Sequence, residues 1–408
     1  MSASLPPKPR LALAFILATV TLDAIGIGLI FPVMPDLIRQ VTGQTIAEAA
    51  LWGGALSTAF AVMQFLCGPI LGALSDRFGR RPVLLTSLFV MAIDYTVMAV
   101  AGSVWLLLIA RIIAGITAAT HSTANAFIAD ITPAEDRGAK FGLIGAGFGI
   151  GFVLGPLIGG VLAGFDTRAP FWFAAALAGG NFLFGALVLP ETAPRAQGQT
   201  RVSLAKANPL GSFRAMSQRP GLRRTLICYL IMCLAMIVYP SIWAYFGQAR
   251  FGWSSGMIGL SLGLYGISYA LGQAFLVGPM IRRWGEHRAA YYGMWVDTTT
   301  LIALGLVTSP VAVLILTPIT ALGGAVTPAL QAIASRATPT EAQGQIQGLL
   351  ASLNAVAMIL GPLMMTGIFH HFTKSDAPLF APGAPFLMAG VLMLICLILH
   401  ASQKSPKN

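Results

Sequence analysis

Long uncharged stretches constrain this chain more than any other feature. Residues 50–74 contain no charged side chain, and residues 83–110 contain only Asp94. A bilayer-spanning helix needs about 20 mainly apolar residues. Charged residues make up 10% of the chain, against roughly 25% in soluble globular domains. The sequence therefore predicts a polytopic membrane protein.

The apolar blocks indicate an all-α membrane protein with twelve transmembrane helices in two six-helix halves. We expect an N-terminal half over residues 1–190, a cytoplasmic linker over 191–223 and a C-terminal half over 224–408. The predicted spans lie near 11–33, 50–74, 82–101, 104–130, 138–163, 169–190, 224–248, 255–280, 289–308, 310–335, 344–370 and 382–401.

The distribution of the net charge of +11 along the chain indicates the membrane topology. Alternate connections between the predicted spans, together with both termini, hold 20 of the 25 Lys and Arg residues. The positive-inside rule assigns that side to the cytoplasm, so both termini are expected there. A nucleic-acid surface would not be divided among so many short connections, so no nucleic-acid partner is expected.

An internal repeat supports the division into halves. At an offset of 206 residues Gly72 aligns with Gly278, and Gly79 with Gly285. Thr-Pro at 132–133 and Leu-Gly-Pro-Leu at 154–157 recur at the same offset. Parallel repeats of this kind are typical of some transporter folds.

The motifs that identify a family lie in the first half. The charged turn Gly72-Ala-Leu-Ser-Asp-Arg-Phe-Gly-Arg-Arg-Pro82 resembles the loop between helices two and three of the major facilitator superfamily. Residues 21–32 resemble the first helix of tetracycline/proton antiporters, and residues 151–160 the antiporter signature of drug/proton exporters. Gly151, Gly155, Pro156 and Gly159 are its helix-packing candidates, and ordinary helix packing explains the same glycine spacing.

Ionisable residues inside predicted spans are the candidates for proton coupling, because such groups are costly in a bilayer unless they face a partner or a wet cavity. They are Asp23, Asp94, Arg111 and Asp297. Asp94 and Arg111 are expected to pair, and a purely structural pair remains an alternative. The resemblance implies a coupling role for these positions, with Asp297 as the main proton site.

The candidate substrate-binding residues are Asp23, Gln64, Asp94, His121, Tyr269 and Gln273, and all but His121, a lone histidine on an apolar helix, stand at positions that the same resemblance indicates. Tyr269 stands where that family usually carries histidine. Gln64 and His121 also fit the role of helix-packing residues. Conformational gating is assigned to charged residues near the cytoplasmic helix ends: Asp76, Arg77, Arg80, Asp130, Arg282, Glu286 and Arg336. Asp130 is expected to pair with Arg80 or Arg77, and Arg336 with Glu286.

The resemblance thus implies an antiporter of the bacterial inner membrane that exchanges protons for a drug, most simply tetracycline as a magnesium chelate. Alternatives are a multidrug exporter, a proton-coupled transporter of another amphiphile, and a membrane sensor that does not transport. The four cysteines show no metal-ligand spacing, and no GxxxxGK[ST] loop is present. We therefore expect no enzyme activity and no cofactor, with magnesium only as part of the cargo, and function as a monomer.

Overall fold

The described part of the first half consists of helices joined by short turns and loops. A computed structural model describes residues 9–133, 136–192 and 222–402, so most of the predicted linker lies outside the described residues. The first eight helices are α1 Pro9–Ile30, α2 Met34–Thr42, α3 Ile46–Phe78, α4 Arg80–Val100, α5 Val104–Ile116, α6 Thr120–Ile131, α7 Arg137–Ala163 and α8 Ala169–Val188.

Over the described residues 222–402, the second half contains eight further α-helices and short π and 3₁₀ segments. The helices are α9 Leu222–Met236, α10 Val238–Phe251, α11 Ser255–Leu271, α12 Gly278–Leu306, α13 Pro310–Thr320, α14 Val326–Arg336, α15 Gln343–Thr373 and α16 Ala384–Ala401. A π-helix covers Gly272–Val277, and 3₁₀ turns cover Ala321–Ala325 and Thr340–Ala342.

The helices are long and apolar enough for twelve membrane crossings. Within the described ranges 11 helical stretches qualify, and one of them, Ser255–Leu306, has 52 residues. At about 1.5 Å per residue it is more than twice as long as a bilayer core of roughly 30 Å. Gly285 interrupts it with non-helical backbone, so this stretch supplies two crossings. The predicted all-α, twelve-helix fold is confirmed.

The two glycines aligned by the repeat make the same backbone turn. Gly79 has φ 109° and ψ 157°, and Gly285 has φ 76° and ψ 164°. Side-chain-bearing residues rarely adopt such positive φ values. Glycine at each position therefore lets the chain reverse between two long helices, in each half at the same place in the repeat.

Three predicted spans are broken helices, and this differs from the sequence-based expectation. The span predicted at 104–130 is interrupted between α5 and α6, the span at 224–248 at Ile237, and the span at 310–335 by the 3₁₀ turn Ala321–Ala325. The short α2 was not predicted. Apolar composition specifies membrane depth, whereas such breaks depend on neighbouring groups that satisfy the freed backbone.

The chain packs as two compact units. Of the described residues, the first unit holds those within 1–43, 59–204 and 255–263, and the second those within 44–58, 205–254 and 264–408. Each unit thus includes one segment from the other sequence half: 255–263 in the first unit and 44–58 in the second. At the 206-residue offset 255–263 corresponds to 49–57, so these segments are the beginnings of two helices related by the repeat. Sequence halves and packing units therefore differ at these two helix beginnings.

Candidate functional site

The first unit contains a buried ion pair. Arg111 Nη2 contacts Asp94 Oδ2, and the side chains are 16% and 2% exposed. The Arg111 guanidinium also lies 5.6 Å from the centre of the Phe60 ring. A buried pair neutralises both charges. Arg111 therefore neutralises Asp94, the acid on the neighbouring span, as the sequence suggested.

Asp23 is the second deep acid of this unit and has no ion pair among the described residues. Its Oδ1 atom is buried without a hydrogen-bond partner. Tyr95 lies close enough to interact electrostatically with it, and the Tyr95 hydroxyl also fills the space beside Gly26. Asp23 is thus a partly buried carboxyl group with no basic partner in the part of the chain that the structure describes.

Gln64 and His121 lie in the same unit as Asp23. Gln64 is half-buried, and His121 is exposed. His121 is the second residue of α6, just after the break, and contacts the Phe148 ring edge to face at 5.8 Å. Beside it, Thr120 Oγ1 is buried without a partner. The break between α5 and α6 therefore lies directly beside these polar side chains.

The glycine stripe of α7 packs against α1. A Cβ on Gly151 would overlap Thr21 and Ala24, one on Gly155 would lie 2.7 Å from Gly28 Cα, and one on Gly159 would overlap Leu29. Small residues at such positions allow two backbones to approach closely. The stripe thus sets the distance between the helix that carries Asp23 and α7.

Gly259 and Gly263 on α11 also contact α7. They pack against another face of α7, where Gly259 meets the Pro156 carbonyl and Gly263 meets Leu157. Pro156 also packs on Gly28. Residue spacing identified the close-packing face of α7, but not the helix that it contacts.

The second unit holds one deep acid, Asp297 on α12. Its side chain is buried, with the residue 6% exposed, and the carboxylate lies directly against Gly323, where any Cβ would overlap Oδ1. Among the ion pairs of the described residues none involves Asp297. Like Asp23, it is a buried carboxyl group without a basic partner.

Two distorted helical segments surround this acid. The π-helix Gly272–Val277 carries Gln273, whose Nε2 donates to the carbonyl of Gly324 over 2.9 Å. The Tyr269 ring lies beside Gly324 as well. Because the 3₁₀ turn Ala321–Ala325 frees backbone carbonyls, it needs such donors. The structure therefore brings Asp297, Tyr269 and Gln273 to one glycine-rich turn.

Sequence reasoning missed Gly323 and Gly324. An adjacent glycine pair inside an apolar span is the available signal, because glycine marks places where another group approaches the backbone closely. It was passed over because the span from 310 to 335 was interpreted as one regular helix. π-helical turns of the kind beside it often occur at functional sites.

The charged turn of the first unit is organised by Arg80. Arg80 Nε is 3.0 Å from Asp130 Oδ2, and Nη1 is 2.5 Å from Asp76 Oδ1. Arg77, the other candidate partner of Asp130, is exposed and lies over the Phe78 ring at 5.3 Å. Of the two arginines, Arg80 makes the pair.

Glu191 also belongs to this turn, and sequence reasoning did not assign it. Its Oε1 accepts from the backbone N–H of Arg80 at 2.8 Å, and its Oε2 from that of Arg81 at 3.3 Å. The carboxylate fills the space beside Gly79. An acid at a helix N-terminus compensates free N–H groups and the helix dipole, so the end of the first half is fastened to α4.

The equivalent place in the second unit carries the inverted pair. Arg336 Nη2 is 2.6 Å from Glu286 Oε1, with the Arg336 side chain 76% exposed and the Glu286 side chain 12% exposed. Arg282 is exposed and takes part in none of the ion pairs found among the described residues. Each unit thus has arginine–carboxylate pairing beside its glycine turn, and the Arg80–Asp130 pair of the first unit corresponds to the Glu286–Arg336 pair of the second with the charges exchanged.

The matches to known proteins cover nearly the whole chain. The model of the Major Facilitator Superfamily matches residues 16–254 and 225–408. The chain belongs to the major facilitator superfamily. The protein is similar to the class C tetracycline resistance protein of Escherichia coli, with 43% identity over 396 residues, covering 96% of each chain.

Other superfamily members agree with this placement. The class G tetracycline resistance protein of Vibrio anguillarum is 38% identical over 381 residues, covering 93% of this chain and 95% of the relative. The crystal structure of the human organic anion transporter MFSD10 (TETRAN) matches with a TM-score of 0.70 and 25% identity, covering 97% and 100% of the two chains. This major facilitator protein is therefore a multi-pass membrane transporter of small molecules.

Proposed function

We propose that this protein is a proton-driven antiporter that exports tetracycline, as its magnesium chelate, across the bacterial inner membrane. The cargo is inferred from the tetracycline resistance proteins, which match along nearly the full chain at 43% and 38% identity. Magnesium is part of the cargo in this scheme, so the protein needs no resident metal or cofactor and performs no enzymatic reaction.

The coupling is carried by one observation: two deep carboxyl groups lack a basic partner. Arg111 is occupied by Asp94, whereas Asp23 and Asp297 are in no ion pair within the described ranges. A carboxyl group in an apolar environment must take up a proton or another cation. Asp297 is the main proton site, and Asp23 and Asp94 lie near the cargo.

This arrangement explains exchange in physical terms. A carboxylate that releases its proton becomes the counter-charge for a cationic chelate, and cargo departure lets a proton return. Proton and cargo then compete for the same negative charge, so neither crosses without the other. Gln64, His121, Tyr269 and Gln273 supply polar contacts to the cargo.

Gating and topology complete the proposal. The Arg80–Asp130 and Glu286–Arg336 pairs act as cytoplasmic latches, with Asp76, Arg77 and Arg282 as their charged surroundings, and breaking one shifts the balance between conformers. Both termini face the cytoplasm, two six-helix halves flank a linker over 191–223, and the monomer is the functional form. Cargo, protons and the lipid bilayer are the partners, with no nucleic acid.

Proton release tests the proposal. Purified full-length protein in weakly buffered detergent solution is mixed with tetracycline and magnesium chloride, and pH is followed with an indicator dye. We expect protons to appear in the wild type and in Asp376→Asn, which alters an acid whose side chain is 75% exposed. Asp297→Asn should release far fewer. Saturable tetracycline binding without proton release would contradict coupling and favour a sensor.

A further inference from the structure

Three tyrosines of the second unit form a stacked series. The Tyr239 and Tyr265 ring centres are 5.5 Å apart with the planes at 21°, and the Tyr265 and Tyr269 ring centres are 6.0 Å apart at 24°. We call Tyr239, Tyr265 and Tyr269 the tyrosine ladder. Near-parallel rings on two different helices keep their faces in a fixed orientation.

The ladder is closed at one end and exposed at the other. Tyr239 contacts the Trp243 ring at 6.0 Å and the edge of Phe386 at 5.9 Å, and both of those residues are buried. Tyr269 is 37% exposed and lies beside Gly324. A flat molecule could therefore extend the stack only at Tyr269, next to the glycine turn.

The surroundings of the ladder are negative. All three tyrosines lie close enough to Asp297 to interact electrostatically, and no Lys, Arg or His side chain is paired with this acid in the described part of the chain. Aromatic ring faces also carry negative partial charge and attract cations. The ring faces and the carboxylate thus both favour a positively charged ligand.

We propose that the tyrosine ladder and Asp297 bind flat, delocalised organic cations, a class of cargo additional to the tetracycline chelate. A ring of the ligand stacks on Tyr269, and Asp297 balances its charge. Flatness is required because the ladder offers parallel faces, and delocalisation is favoured because a weakly hydrated cation loses less on leaving water. This inference holds whether or not tetracycline is a cargo.

The alternative is that the tyrosines only fill space or donate hydrogen bonds through their hydroxyl groups. Phenylalanine and leucine substitutions separate these roles. Tyr269→Phe keeps the ring and removes the hydroxyl, whereas Tyr269→Leu removes the ring. Tyr292→Leu is the matched control, because Tyr292 is also exposed and on α12 but packs against Trp284 and Tyr291, outside the ladder.

The test is equilibrium binding of ethidium to purified full-length protein, followed by fluorescence anisotropy. We expect saturable binding that is displaced by excess unlabelled aromatic cation, and not by tetramethylammonium or by uncharged phenanthridine. Tyr269→Leu and Tyr265→Leu should weaken the affinity about tenfold. Tyr269→Phe and Tyr292→Leu should leave it within a factor of about three, which is the scatter typical of single contacts.

Four outcomes would overturn the proposal, the first being an affinity that is unchanged in Tyr269→Leu. Absence of saturable binding, or equal losses in Tyr269→Leu and Tyr269→Phe, would assign the ladder to packing or hydrogen bonding. An equal loss in Tyr292→Leu would show that the effect is not specific to the ladder. If Tyr265→Leu does not fold, the comparison of Tyr269→Leu with Tyr269→Phe decides the test. Proton release by tetracycline is measured on the same samples, so a failure of the proposed function is recorded separately.

Discussion

The carboxylate of Asp297 occupies the space that a side chain at position 323 would need, and Gly323 leaves that space open. This contact fixes the acid of α12 against the 3₁₀ turn Ala321–Ala325. Gln273 donates a hydrogen bond to the carbonyl of Gly324, the next residue of the same turn. The position of this buried acid in the second unit therefore depends on a glycine of another helical span.

The first prediction concerns that contact. Gly323→Ala places a methyl group where Asp297 Oδ1 lies, so the carboxylate must move. We expect the affinity for tetracycline with magnesium to fall about tenfold, in line with the roughly 1–3 kcal/mol cost of overpacking, as measured by fluorescence titration.

Gly348→Ala is the matched control, because a Cβ at that position meets nothing within 4 Å. Its affinity should equal that of the wild type. Equal affinities in both variants would show that the position of Asp297 does not matter for cargo binding.

The second prediction separates binding from coupling at Asp297. Asp297→Asn imitates the protonated acid, so cargo that binds the other contacts remains while proton exchange stops. Proton-driven tetracycline accumulation in inverted vesicles should fall about tenfold or more, with saturable binding retained at lower affinity. Undiminished accumulation would remove Asp297 from the coupling scheme.

The third prediction concerns the latch of the second unit. Glu286→Arg leaves two arginines facing each other near a largely buried position, and Arg336→Glu leaves two acids, so each single variant should lose most transport. The double variant restores opposite charges and should recover it. A double variant no better than the singles would refute the pairing as a functional latch.

Lys374 and Asp376 provide the control for this experiment. Their ion pair spans 3.1 Å at an exposed site, and the hydrogen bond from Lys374 lowers the pKa of Asp376. Exposed pairs contribute little to stability. Exchanging these two charges, or reversing either alone, should therefore leave transport close to the wild-type rate.

The fourth prediction tests the glycine stripe. Gly155→Ala pushes a methyl group to within 2.7 Å of Gly28 Cα and the Ile25 carbonyl. We expect a loss of roughly 1–3 kcal/mol in stability, visible as a lower thermal unfolding midpoint. Gly149→Ala, on the same helix with nothing within 4 Å, should unfold at the same temperature or slightly higher, because alanine favours helix more than glycine does.

Much of the fold could be predicted because the bilayer imposes it. The lengths of the apolar stretches predicted the spans, and the positions of charged residues predicted the connections between them. The pairs Asp94–Arg111, Arg80–Asp130 and Glu286–Arg336 could be anticipated because buried or repeat-related charges have few possible partners. The turn glycines Gly79 and Gly285 followed from the repeat.

The rest depends on contacts that sequence spacing does not encode. The break before Thr120 carries no proline or charge, and the tyrosine ladder joins residues on separate helices. Glu191 was counted with the linker, although its carboxylate binds the N-terminus of α4. Each of these features arises from tertiary packing, which satisfies freed backbone groups or brings distant rings together.

The most direct test of the central claim is tetracycline uptake into inverted membrane vesicles with an imposed pH gradient, acid inside, with and without magnesium. We predict uptake that requires the gradient, rises with magnesium and ends when the gradient is collapsed. Uptake that is unaffected by both magnesium and the gradient, or no tetracycline uptake by vesicles that transport another drug, would contradict the account.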